Sequence, residues 1–232
     1  MDMKTQSFLL FLFVAALGFG QTNFDKGREM FMQNKPSEAL VYLENSIVEE
    51  PTHVEAFLYL GIVYEQMGRT EEAIVVYRQI LSRAGALTAN VTTNLGNAYF
   101  KKGSIAEAEM LYTQALNADF TYALAYLGRA NARMKKNALM EAVSDYEQYL
   151  LLDPRAPQRR SIERLILQIK SEYAEAERRR LVAEEVARLE AERRQRLLDE
   201  VSASLQGAAG ASKGLSTGAE DIEGYEGEFE LE

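Results

Sequence analysis

The chain contains no cysteine, no tryptophan, one histidine and only four prolines among 232 residues. Without cysteine there are no disulfides, no thiolate metal ligands, no cysteine nucleophile and no lipid-modified N-terminal cysteine. With His53 alone, a multi-histidine metal site is excluded, and a Ser-His-Asp triad would hang on one residue in a helix-entry turn. Positive charge is also in short supply. The 26 Lys and Arg face 35 Asp and Glu, a net charge of -9, the wrong sign for a protein that grips phosphate backbones. No catalytic residue, no metal ligand, no cofactor and no nucleic-acid partner is therefore expected. What is plentiful is apolar residue, 47% of the chain, enough for one sizeable core.

Residues 1–20 read as a secretory signal peptide. Lys4 supplies a positive start, Phe8 to Leu17 is an unbroken apolar run, and Gly18-Phe19-Gly20 offers the small residues a signal peptidase reads before Gln21. The run is shorter than the roughly 20 residues that span a bilayer. The expected location is thus exported, periplasmic or cell-envelope in a bacterium. The alternative is an uncleaved anchor at residues 8–20 in the inner membrane, the one route by which a membrane becomes a partner.

From about residue 20 the chain repeats itself. Leu60-Gly61-Ile62-Val63-Tyr64 returns thirty-five residues later as Leu95-Gly96-Asn97-Ala98-Tyr99. Small residues recur at Gly27, Gly61, Gly96 and Ala130, and again twelve residues on at Ala39, Ala73, Ala108 and Ala142. One helical turn further lie Leu43, Tyr77, Tyr112 and Tyr146, on the same face as the alanines. Asn34, Gly68, Gly103 and Asn137 stand between, residue types that take a left-handed helix end cheaply. Pro51 and Pro154 close two of the units. The spacing predicts helix pairs at about 20–53, 54–87, 89–122 and 123–156 within an array over 21–156.

This pattern resembles the tetratricopeptide repeat family, and the second unit carries it best, with Phe57, Leu60-Gly61, Tyr64, Ala73, Tyr77 and Ile80. The third follows with Leu95-Gly96, Tyr99, Ala108, Tyr112 and Ala115, and the fourth keeps Tyr126, Ala130, Ala142, Tyr146 and Pro154. The fourth departs by placing Arg129 and Arg133 where Leu and Tyr belong, and the first has Asn23 and Lys26 for the aromatic and Leu. The resemblance implies an all-α solenoid of four helix-turn-helix repeats, each burying its apolar face against its neighbours.

It also implies a concave face built from the first helix of each repeat and holding a protein or peptide partner. Arg28, Ile62, Asn97 and Asn131 follow the small residues onto that face, with Glu65, Gln66, Lys101 and Lys135 a turn further on. Asn97 and Asn131 are expected to hydrogen-bond a partner's backbone, and Lys101 and Lys135 to favour its acidic groups. One subgroup of the family clamps a terminal carboxylate with paired Lys and Asn. Thr93, Ser161 and Leu165 stand at this chain's remaining clamp positions, so that specificity does not carry over.

After Pro157, Ile162, Leu165, Ile166, Ile169 and Tyr173 form an apolar stripe at helical spacing, as a capping helix requires. Beyond it the composition turns to Glu, Arg and Ala, with Glu175–Arg179, Glu184–Arg188, Glu190–Arg194 and Glu192–Arg196 four apart, acid first. A heptad seam started at Ile162 is lost after Ala176. The reading is a capping helix extending into a single long charged helix over 157–205, with weak self-association as the alternative to a lone spacer. Residues 206–232 pass through Gly, Ala and Ser into an acidic end, read as a disordered tail.

The expected function is a non-enzymatic scaffold or adaptor. The alternatives are an envelope component that carries a small molecule in the groove, and a structural protein that self-associates through its C-terminal helix.

Overall fold

The computed structural model describes residues 21–218, and side chains to residue 210. Every regular element among these is helical. The first eight α-helices form four antiparallel pairs: α1 Asn23–Met32 with α2 Pro36–Glu49, α3 Val54–Gln66 with α4 Thr70–Leu81, α5 Thr88–Lys102 with α6 Ile105–Ala118, and α7 Ala123–Lys135 with α8 Leu139–Leu152. A ninth, α9, spans Arg159–Gly218. The fold class is the all-α solenoid expected. No helix among the described residues is long and apolar enough to cross a membrane. The expected signal or anchor at residues 1–20 lies outside the described residues.

The turns within pairs obey one rule. Asn34, Gly68, Gly103 and Asn137 have φ of 57°, 75°, 87° and 61°, so each helix ends on a residue in the left-handed region. The extra residue between the second and third units is taken up by a 3₁₀ turn at Gly85–Leu87.

The small residues are where helices meet most closely. A Cβ on Gly27 would fall within 3.0 Å of two Leu43 side-chain carbons, and one on Gly96 within 3.0 Å of the Tyr112 ring. Ala39, Ala73, Ala108, Ala130 and Ala142 are all fully buried. Gly128, outside the repeating register, also lies close against Tyr112, so that this ring meets both Gly96 of its own repeat and Gly128 of the next. In the first repeat the missing aromatic is supplied one residue late. Phe24 meets the rings of His53 and Tyr59 edge-on, with centroids 4.3 and 5.8 Å away.

Among the described residues, one buried polar side-chain atom lacks a partner. Thr93 Oγ1 makes no hydrogen bond, and the residue is 2% exposed. Thr93→Val, which keeps the shape and removes the stranded hydroxyl, is expected to raise stability by about 1 kcal/mol in urea denaturation. A loss of stability would mean that the hydroxyl has a bonding role.

The chain divides into two compact units, one ending at Ile169 and the other starting at Lys170. In the first, Ile162, Ile166 and Ile169 pack with Tyr146, Tyr149 and Leu150, so the early part of α9 covers the open side of the fourth repeat. Tyr173, expected in this stripe, is 57% exposed and lies outside it. In the second unit α9 is laced with ion pairs. Arg179–Glu175 and Arg196–Glu192 close as expected at 2.9 and 3.8 Å, while Arg188 turns to Glu185 and Glu192 at 2.6 and 3.1 Å. The helix passes the expected end at Leu205 and runs to Gly218. Gly207, Gly210 and Gly214 lie within this run at about 1 kcal/mol each relative to alanine, and Ala203, Ala208, Ala209 and Ala211 beside them add no such cost. The remainder of the expected tail, 219–232, lies outside the described residues.

Candidate partner-binding groove

The first helices α3, α5 and α7 present one wall of a cleft of about 240 Å³, lined by Glu65, Asn97, Phe100, Lys101, Leu124, Leu127 and Asn131 over the Tyr112 ring. Four of the sequence-predicted or adjoining polar residues thus come together in one place. The apolar floor of Phe100, Leu124 and Leu127 was not singled out from sequence. These three sit at ordinary helical positions with nothing in their residue types to separate floor from core.

The polar groups follow a register. The Tyr112 hydroxyl donates to Asn97 Oδ1 at 2.8 Å, and the Tyr146 hydroxyl donates to Asn131 Oδ1 at 2.7 Å. In the second repeat the same position is Ile62, which cannot accept, and it packs half-buried on the core. The Tyr77 hydroxyl therefore donates to Glu65 Oε1 at 3.0 Å, one turn further along. Burial pushes the hydroxyl pKa of all three tyrosines up, and the Glu65 carboxylate adds to this for Tyr77 and Tyr112. Each remains a neutral donor. These bonds fix the orientation of each amide, with Oδ1 on the ring hydroxyl, and leave Nδ2 with no partner among the described residues.

The cations are less alike than their spacing suggests. Lys101 Nζ donates to Glu65 Oε2 at 2.5 Å, across thirty-six residues, and Glu65 is nearly covered, its side chain 8% exposed. Lys101 therefore reaches the groove as half of an ion pair. Lys135 is exposed and has no ion-pair partner among the described residues. Arg28 pairs with Asp25 at 3.7 Å and lies over the Phe24 ring, at the first repeat. Among the described residues no group of three His, Asp or Glu is placed to hold a metal ion.

Beside the groove lies a buried ionic network. Asp145, 3% exposed, receives two hydrogen bonds from Arg129, at 2.9 Å from Nε and 2.7 Å from Nη2, and one from Arg133 Nη1 at 2.8 Å. Arg133 Nε reaches Glu109 at 3.0 Å, and Lys136 closes on Glu109 at 2.6 Å. The Lys136 ammonium, and after it Arg133, hold the Glu109 carboxyl below its ordinary value against the opposing effect of burial. Hydrogen bonding to Asp145 raises the Arg129 guanidinium further. The two arginines that break the family pattern are thus answered by Asp145, which stands where the second and third repeats have Val76 and Leu111.

Tetratricopeptide repeat family models match residues 53–119 and 93–159. Human RNA polymerase II-associated protein 3 is 34% identical over 118 residues, 48% of this chain and 17% of that protein. The DnaJ homolog subfamily C member 7 homolog of Dictyostelium discoideum is 27% identical over 144 residues, 56% of this chain and 27% of that protein. The chain spans between 17% and 27% of the length of these two relatives. Among solved structures, PilF of Pseudomonas aeruginosa superposes with a TM-score of 0.58 at 18% identity, covering 66% of this chain and 68% of that one. A tetratricopeptide repeat protein of Thermus thermophilus gives 0.56 at 19%, covering 66% and 88%. At these identities the likeness is one of fold.

Proposed function

The chain belongs to the tetratricopeptide repeat family, and from that premise we propose that it is a non-enzymatic interaction scaffold that holds an extended protein segment in the groove between α3, α5 and α7. The observation that carries this reading is the pair of locked asparagines. With Oδ1 of Asn97 and Asn131 turned to the Tyr112 and Tyr146 hydroxyls, each side chain is held in one orientation with its Nδ2 amide free to donate, and an extended chain supplies matching acceptors in its backbone carbonyls. The floor of Phe100, Leu124 and Leu127 takes an apolar side chain, and the exposed Lys135, one turn beyond Asn131 on α7, favours an acidic group past the end of the cleft. A groove lined by side chains of several helices reads a segment longer than a single residue. We place the protein in the bacterial cell envelope, on the apolar run Phe8 to Leu17 and the small residues before Gln21.

The test keeps the tyrosines satisfied. Asn97→Asp with Asn131→Asp preserves an acceptor for each hydroxyl while replacing the amide donors with carboxylates. The full chain, expressed in a bacterium, is captured from the envelope fraction, its partner is identified, and the affinity is measured by calorimetry. The double variant is expected to bind about thirtyfold more weakly, from roughly 1 kcal/mol net per hydrogen bond, with an unchanged melt. Equal affinity for the identified partner removes the groove as its site. Absence of the chain from the envelope fraction removes the location.

A further inference from the structure

The buried apolar core is thinnest in large side chains at one joint. A large buried cluster runs from Phe24 through Phe57, Tyr77, Val91 and Leu95 to Leu111, joining the first three repeats. A second holds Ala130, Val143, Tyr146, Tyr149 and Leu150 with Ile162, Ile166 and Ile169, uniting the fourth repeat with the start of α9. Between them, among the described residues, lie two small clusters that cross the joint, Ala89, Ala115, Leu116 and Ala125 in one, Ala108, Tyr112 and Ala132 in the other. The partly buried Tyr99 and Tyr126 link these to the large ones. Where the joint between the second and third repeats has Ile74 and Tyr99, the joint between the third and fourth has Glu109 and Arg133, an ion pair at 3.0 Å.

We propose that the joint between α6 and α7 is an ionic hinge at which the fourth repeat and the start of α9 open as one unit, and that this opening sets the width of the groove. The second half of the statement rests on the groove reading above. Three physical points support it. Stability in a stacked array is a sum of repeat and neighbour-interface contributions, so the least apolar interface yields first. Ions taken from water give back in mutual attraction much of what burial cost, so this interface contributes less net stability than an apolar one of equal area. The groove straddles the joint, with Asn97, Phe100 and Lys101 on α5 and Leu124, Leu127 and Asn131 on α7. Any rotation there moves the two amide donors relative to each other.

Native-state hydrogen exchange of the full chain tests this without a ligand. Amides of α7 and α8 should exchange as a set, about tenfold or more faster than the slowest amides of α3 to α5. Replacing the network by the third repeat's residues, Arg129→Leu with Arg133→Tyr and Asp145→Leu, should close that gap. Glu109→Ile with Arg133→Tyr is the milder version, which keeps the Arg129–Asp145 pair. Because the chain has no cysteine, spin labels at Gln66→Cys and Lys135→Cys, at the ends of α3 and α7, report the separation of the helices that flank the groove. The wild-type distance distribution should be broad and should narrow in either variant. Uniform protection from α3 to α8 overturns the hinge, as does a gap that survives both variants. Equal label distributions overturn its control of the groove. The asparagine double variant should leave the exchange pattern untouched, so failure of the hinge and failure of the groove show separately.

Discussion

Asp145→Ala is expected to lower the stability of the array by about 3–5 kcal/mol in urea denaturation, among the largest single-residue effects in the molecule. The carboxylate is buried, its side chain 4% exposed, and it is the shared acceptor of two guanidinium groups that are themselves only 15% and 22% exposed. Removing it strands Arg129 with no carboxylate and Arg133 with Glu109 alone, in a site where water reaches the guanidinium groups only in part. Removing all three charges is a different experiment. Leu, Tyr and Leu occupy these positions in the third repeat, so the triple replacement restores most of a packing the fold already uses and leaves Glu109 paired with the exposed Lys136. It should be neutral or stabilising, by as much as about 4 kcal/mol. A triple variant as unstable as Asp145→Ala would refute this account of the network.

Acid weakens the same joint. The Glu109 carboxyl ionises in the folded protein at lower pH than a free glutamate, because the Lys136 ammonium and the Arg133 guanidinium hold its charged form. Its contribution to stability is therefore complete above the ordinary carboxylate range, near pH 4.3, and is lost as pH falls through the folded value below it. Glu109→Gln should flatten the acid limb of the stability curve.

The network also shows what a sequence can and cannot display. The register of Gly61, Gly96, Tyr77 and Tyr112 made the stack legible, because each small residue and each ring performs the same packing task in every unit. The breaks in register were equally visible at Arg129 and Arg133. Their answer was not, since Asp145 on α8 and Glu109 on α6 lie twelve and twenty-four residues from Arg133, and long charged side chains find partners only once the fold exists. The groove divides the same way. Asn97 and Asn131 follow from the register, whereas the lock on their carbonyl oxygens depends on ring positions in the second helix of each pair. Lys101 looked like a free cation because Glu65 is remote in sequence. The helical run past Leu205 was hidden by Gly207, Gly210 and Gly214, which suggest a break although the alanines among them favour helix.

Gly61→Leu is the other change with a large expected effect, and it acts by steric means alone. A Cβ at Gly61 would lie closer than 3.0 Å to three carbons of the Tyr77 ring, before any further side-chain atom is added. The ring cannot step aside. Tyr77 is fully buried, and its hydroxyl is held by Glu65, which in turn holds Lys101 of the next repeat. Overpacking a tight core usually costs about 1–3 kcal/mol, and here a whole leucine must enter where not even a methyl group fits, so we expect about 3 kcal/mol or more. The damage should spread, because α3 and α4 are shared walls of the first and third repeats. Gly68→Ala provides the contrast. A Cβ there meets no neighbouring atom within 4 Å, but φ is 75°, so the cost is backbone strain of about 1 kcal/mol. Thermal melts followed by circular dichroism should thus place Gly61→Leu far below Gly68→Ala and Gly68→Ala modestly below wild type. If the two glycine variants melted together, close approach of helices at Gly61 would not be what holds the centre of the stack.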